Sequence, residues 1–150
     1  QAKAANAQYL LLNPFNGAYY RQYGFSDLAY AEYRTVTGGT AYPIRPAAAA
    51  DVRAVYEAAT ADADVYLART ADFYDDCARD HLLVGTFAVG TVWQDEFEVT
   101  ACTDYAALLR CEALRGLRVA VPGGRTPFIQ VLSLAASERL TGKIVITDKL

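Results

Sequence analysis

The chain has 150 residues, 53% of them apolar, and a mean hydropathy of +0.07, which describes a folding chain of one domain's length rather than a disordered one. Fourteen bases against seventeen acids leave a net charge of −3 and an isoelectric point near 5.1, so the basic footprint of a general nucleic-acid binder is missing. The longest apolar run, 81–93, is broken by Gly85 and Gly90 and falls short of the roughly 18 residues that a membrane-crossing helix needs.

Residues 1–94 carry ten acids and seven bases, whereas 95–150 carry seven of each, so the surplus acid lies in the first part. Three cysteines without a CxxC spacing, and the single histidine His81, argue against a disulfide framework and a zinc site. The first residues, "QAKAANAQYLL", lack an initiating Met and suit either a processed mature terminus or an arbitrary boundary in a longer chain.

Taken in chain order, residues 1–46 hold seven of the eleven tyrosines among Asn-Pro, Asn-Gly and Gly-Gly pairs, and read as an irregular, Tyr-rich extended arm. Only "SDLAYAEYR" (26–34) looks helical there, with Ser26 as its N-cap. Two readings are open for Tyr19, Tyr20 and Tyr23. They pack on the chain's own core, or they lie on another protein, where a large ring with a polar tip is favoured.

Residues 47–94 form a helical segment. Pro46 suits a helix start, and Val52, Val55, Tyr56, Ala59, Ala63, Tyr66, Leu67, Phe73, Tyr74 and Cys77 recur at helical spacing, predicting one long helix over 46–80 with a break near Thr70.

Residues 95–150 change period. "FEVTAC" (97–102) alternates Phe97, Val99 and Ala101 against Glu98, Thr100 and Cys102, as a half-buried strand does. A short helix over 103–115 follows, then a strand "LRVAV" (117–121) and the turn "PGGR" (122–125). A helix over 126–140, with Pro127 in its first turn, leads to a third strand in "KIVITDKL" (143–150). The fold class expected is therefore α+β: a small three-stranded sheet with two helices, β-α-β-α-β, preceded by a long helix and the Tyr-rich arm.

"FEVTAC", "VAVP" with Arg125 soon after, and the closing "RLTGKIVITDKL", in that order, resemble the CpcD-like domain of phycobilisome linker polypeptides, over about the last third of the chain. The resemblance implies a non-enzymatic linker that assembles phycobiliprotein disks and tunes energy transfer, and the family's pigmented members point to a red-algal type. It would be seated in the central cavity of phycobiliprotein trimers or hexamers. Its partners would be the α and β subunits, chiefly β, together with other linkers, and it would lie on the stromal face of the chloroplast thylakoid or on a cyanobacterial thylakoid. Arg125, Arg139 and Lys143 are the residues that would meet acidic groups of such a cavity, or they are ordinary solvated charges.

"CARD" (77–80) further resembles the chromophore-attachment stretch of phycobiliprotein α subunits. That likeness implies a phycobilin, phycoerythrobilin or phycourobilin, in thioether linkage to Cys77, with Arg79 on a propionate and Asp80 near the pyrrole N–H groups. The plainer reading of Cys77 is a buried small thiol on the helix's apolar stripe. No nucleophile set, Walker A sequence or GxGxxG is present, so an enzyme is not expected. The rival to a linker is a small ferredoxin-like regulatory or protein-interaction domain.

Overall fold

The computed structural model describes residues 9–14, 16–133 and 143–145. In chain order it contains β1 (Tyr9–Leu12), α1 (Gly17–Arg21), β2 (Ser26–Thr35), β3 (Ile44–Pro46), α2 (Ala49–Thr60), β4 (Val65–Tyr66) and α3 (Ala71–Cys77). Then come β5 (Leu82–Val84), β6 (Ala88–Trp93), β7 (Glu96–Cys102), α4 (Tyr105–Leu108), a 3₁₀ turn (Glu112–Leu114), β8 (Arg118–Pro122), β9 (Thr126–Ser133) and β10 (Ile144–Val145).

Eight strands form one mixed sheet in the order β1-β9-β2-β8-β7-β6-β5-β3. Every neighbouring pair is antiparallel except β7 with β8, which meet in parallel at Glu96 and Arg118. This overturns the expected three-stranded β-α-β-α-β module with its long helix. Residues 1–46, 47–94 and 95–150 each contribute strands to the same sheet.

Two expected helices are strands. "SDLAYAEYR" is not a helix but most of β2, the strand that β8 and β9 flank, because pairing on both edges outweighs the helix propensity of its Leu, Ala and Glu. Residues 126–133 are likewise a strand. Ile129, Gln130 and Val131 of β9 are buried between β1 and β2, and a strand covered on both faces loses the alternation that marks half-buried ones. Pro127 is tolerated in β9 because the ladder is irregular beside it: the register shifts between Ala29 and Tyr30, and Phe128 is left over.

The predicted 46–80 helix is two helices, Ala49–Thr60 and Ala71–Cys77, and the second starts where the break near Thr70 was expected. Between them "ADAD" leaves the helical path, and Asp64 accepts the Lys143 N–H at 2.7 Å. The 103–115 helix shrinks to Tyr105–Leu108 and the 3₁₀ turn. The described part of "KIVITDKL", residues 143–145, does not join the main sheet. Ile144 and Val145 pair in parallel with Val65 and Tyr66 of β4, and 146–150 lie outside the described residues.

The core has two parts, one on each face of the β5–β7 region. Leu83, Val89 and Ala101 pack with Val52, Val55 and Tyr56 of α2 and Cys77 of α3. Val84, Ala88, Phe97, Val99 and Cys102 pack with Leu108, Leu109, Cys111 and Leu114 from the α4 region and Val119 of β8. The expected alternation in β7 holds only as far as Val99. Gly90 pairs with Val99 and Val89 with Ala101, so Thr100 is an extra residue, and this bulge returns Cys102 to the face of Phe97 and Val99.

Candidate functional site

Asn16 starts α1 by accepting the N–H groups of Ala18 and Tyr19 on its side-chain oxygen, which stabilises a helix too short to persist alone. The short helix displays the tyrosines. Tyr19 meets Tyr20 edge-on at 5.2 Å and Tyr23 at 5.3 Å, and the Tyr23 hydroxyl donates to that of Tyr19 at 3.3 Å. That bond holds the Tyr23 phenol above its ordinary pKa. Tyr20 is half-buried against Phe25, while Tyr19 and Tyr23 are 52% and 58% exposed.

A charged network fixes α1 to the sheet. Arg21 donates to Asp27 Oδ2 at 2.6 Å, the Tyr30 hydroxyl donates to the same oxygen at 3.1 Å, and buried Gln130 of β9 donates to Asp27 Oδ1 at 2.6 Å and to the Gly17 carbonyl at 3.1 Å. Burial opposes ionisation of Asp27, but the bonds from Arg21, Gln130 and Tyr30 outweigh it and hold the carboxyl below its usual range. Sequence reasoning marked the tyrosines but missed Arg21, Asp27 and Gln130, because residue 130 meets residue 27 only across the β2–β9 pair.

A second aromatic set lies toward the other end of β2. The Arg118 guanidinium stacks on the Tyr33 ring at 4.3 Å and reaches Asp95 at 3.7 Å, and Asp95 neighbours Trp93 at the tip of the β6–β7 hairpin. Trp93 is 63% exposed. Exposed aromatic rings and arginines are the side chains enriched in protein interfaces, and here Tyr33 is held by Arg118.

The residues expected around Cys77 do not converge. Its thiol is buried against α2, whereas Arg79 is exposed and pairs with Asp76 at 3.4 Å, and Asp80 is exposed and bonds His81 at 2.6 Å. A tetrapyrrole on Cys77 would have to open the contact between α2 and α3. Of the expected cations, Arg125 is exposed in the β8–β9 turn, Lys143 pairs with Asp62 of its own chain, and Arg139 lies outside the described residues.

His81 is less isolated than its sequence setting suggests. Nδ1 lies 2.6 Å from Asp80 and Nε2 2.7 Å from the Thr100 hydroxyl, the order of a carboxylate–imidazole–hydroxyl relay. Thr100 is buried in the β7 bulge, and the chain of bonds fastens the segment after α3 to the sheet. Burial pushes the Cys102 thiol up to about 12 and keeps it protonated. Among the described residues no cluster fit for a metal ion occurs, and no helix is long and apolar enough to cross a membrane.

No protein-family model, curated protein or solved structure matches this chain.

Proposed function

We propose that the chain is a non-enzymatic assembly protein that joins partners through the two aromatic–arginine surfaces toward the ends of β2. The observation that carries this reading is that exposed Tyr19, Tyr23, Tyr33 and Trp93 are accompanied by the Arg21–Asp27–Gln130 and Asp95–Arg118–Tyr33 contacts. Side chains already ordered before binding lose less conformational entropy on docking. Two such surfaces on one sheet suit a bridging protein better than a terminal receptor.

The narrower form of the proposal is the phycobilisome linker, with phycobiliprotein disks as partners. It now rests on the sequences of β7 and β8 and not on the fold, since the three-stranded linker module is replaced by the larger sheet. The ferredoxin-like alternative loses its fold in the same way.

Co-sedimentation of the purified chain with phycocyanin, allophycocyanin and phycoerythrin disks tests the linker form. Binding to at least one disk is expected, and Y19A/Y23A or W93A should weaken it by tenfold or more, as for hot-spot rings. Failure to bind any of the three disks removes the linker form. The denatured chain, stained with zinc on a gel, should be dark, because the Cys77 thiol is buried; a fluorescent band would restore the bilin.

A further inference from the structure

An open groove of about 790 Å³ lies between the strand pair β2–β8, the last turn of α2 and the segment 143–145. Such a volume falls within the range of small-molecule sites, roughly 300–1,000 Å³. It exists because small side chains face each other across it: Ala29 and Ala120 from the sheet stand opposite Ala59 of α2, with the Phe128 ring as a wall. Protein interiors ordinarily close such gaps with larger side chains.

Charge complementarity decides what would fit. Asp62 and Lys143 are the only charged side chains lining the groove among the described residues, and they pair with each other at its rim. The pair is exposed on both sides, so it exchanges readily with another ion. Among the described residues the balance around it is negative. The Asp64 carboxylate sits beside Lys143, accepting its N–H at 2.7 Å, and α2 ends at Thr60, which brings the negative end of the helix dipole within two residues of Asp62. Tyr30, Tyr105 and Phe128 add aromatic rings to the lining, and aromatic rings attract cations to their faces.

We propose that this groove binds a cationic amphiphile: an apolar small molecule bearing one ammonium group, with its body against Ala29, Ala120 and Phe128 and its ammonium on Asp62 in place of Lys143. The groove shares Tyr30 with the network around Asp27 but is lined by none of Tyr19, Tyr23, Tyr33 and Trp93, so substitutions of those four rings and of Asp62 or Lys143 read disk binding and amphiphile binding apart.

Fluorescence titration with dansylcadaverine, a primary amine on an apolar fluorophore, tests the proposal on the full chain. Its N-acetylated form, which is neutral, is the control. Saturable binding near one per chain is expected, with the acetylated probe weaker. Exchange of a surface charge pair predicts that D62N weakens the amine about two- to five-fold and that K143Q strengthens it by a similar factor, neither changing the acetylated probe. Both substitutions are at exposed residues, and unchanged circular dichroism verifies the fold. The proposal is overturned if no saturable binding occurs, if D62N leaves the amine's affinity unchanged, or if 8-anilinonaphthalene-1-sulfonate binds more tightly and K143Q abolishes it, which would make the ligand an anion.

Discussion

At Gly90 of β6 the Phe97 ring lies over the backbone, and a Cβ there would press on that ring and on the Glu98 carbonyl oxygen. The ring belongs to the buried core and the carbonyl to the neighbouring strand, so neither can yield without disturbing β7. G90A should therefore cost about 3 kcal/mol, the upper part of the usual range for overpacking, read as a lower urea midpoint. A loss below about 0.5 kcal/mol would mean that the strands separate there more easily than their packing implies. Sequence could show a glycine interrupting an apolar run but not why, since the reason is a ring seven residues away and across a hairpin. The same limit applied at Thr100. Its polarity was legible, but the bulge that joins its hydroxyl to His81 is a property of two paired strands.

The N-cap of helix α2 is Ala48, a residue with no side-chain acceptor to offer the first free N–H groups. Asp51 compensates from the first turn. Its carboxylate accepts the Ala48 N–H at 2.8 Å and receives both Arg45 nitrogens at 2.7 and 2.8 Å. The Arg45 bonds first, and then the Ala48 amide, hold its pKa below the ordinary value. A carboxyl with a lowered folded-state pKa stabilises fully above the unfolded value and loses that contribution as pH falls through the folded one. D51N should accordingly cost about 1 kcal/mol at pH 7, a typical capping loss, and the gap from the unsubstituted protein should shrink below about pH 4. A gap that stays constant down to about pH 2 would show that the carboxylate's charge has no part in it. The stripe of Val52, Val55 and Tyr56 that α2 buries was legible, but its start was not at Pro46, which ends β3 in a pair with Leu82, and the helix begins at Ala49. The helical reading of β2 failed because local propensity carries no record of the two strands that pair with it.

Across the whole molecule, the sheet is assembled from distant parts of the chain. Ser26 pairs with Val131 and Ala31 with Pro122, so β2 cannot find its neighbours until nearly the entire chain is present. Closing loops of that length costs entropy before the contacts compensate, which slows folding. Refolding followed by stopped-flow circular dichroism should take milliseconds to seconds, in the range of sheet proteins with non-local pairing. A microsecond refolding phase carrying the full amplitude would contradict the strand order. The placement of the two aromatic sets depends on the same pairing, since Tyr33 and Arg118 meet only because β2 lies beside β8.

Composition and short-range pattern by themselves determined that the chain folds, that it is mildly acidic, and where β7, β8 and the core stripe of α2 lie. They also marked the tyrosines at 19, 20 and 23 as an unusual concentration. These properties depend on residues close in sequence, whose periodicity or propensity is visible locally. Only the tertiary structure decided that 26–35 and 126–133 are strands, that Ile144 and Val145 pair with β4, and that Cys77 is enclosed while Arg79 and Asp80 point to solvent. Each of these depends on a partner tens of residues away. A backbone hydrogen bond to a distant strand offsets the loss of a local helical one, and no window of neighbouring residues contains that partner.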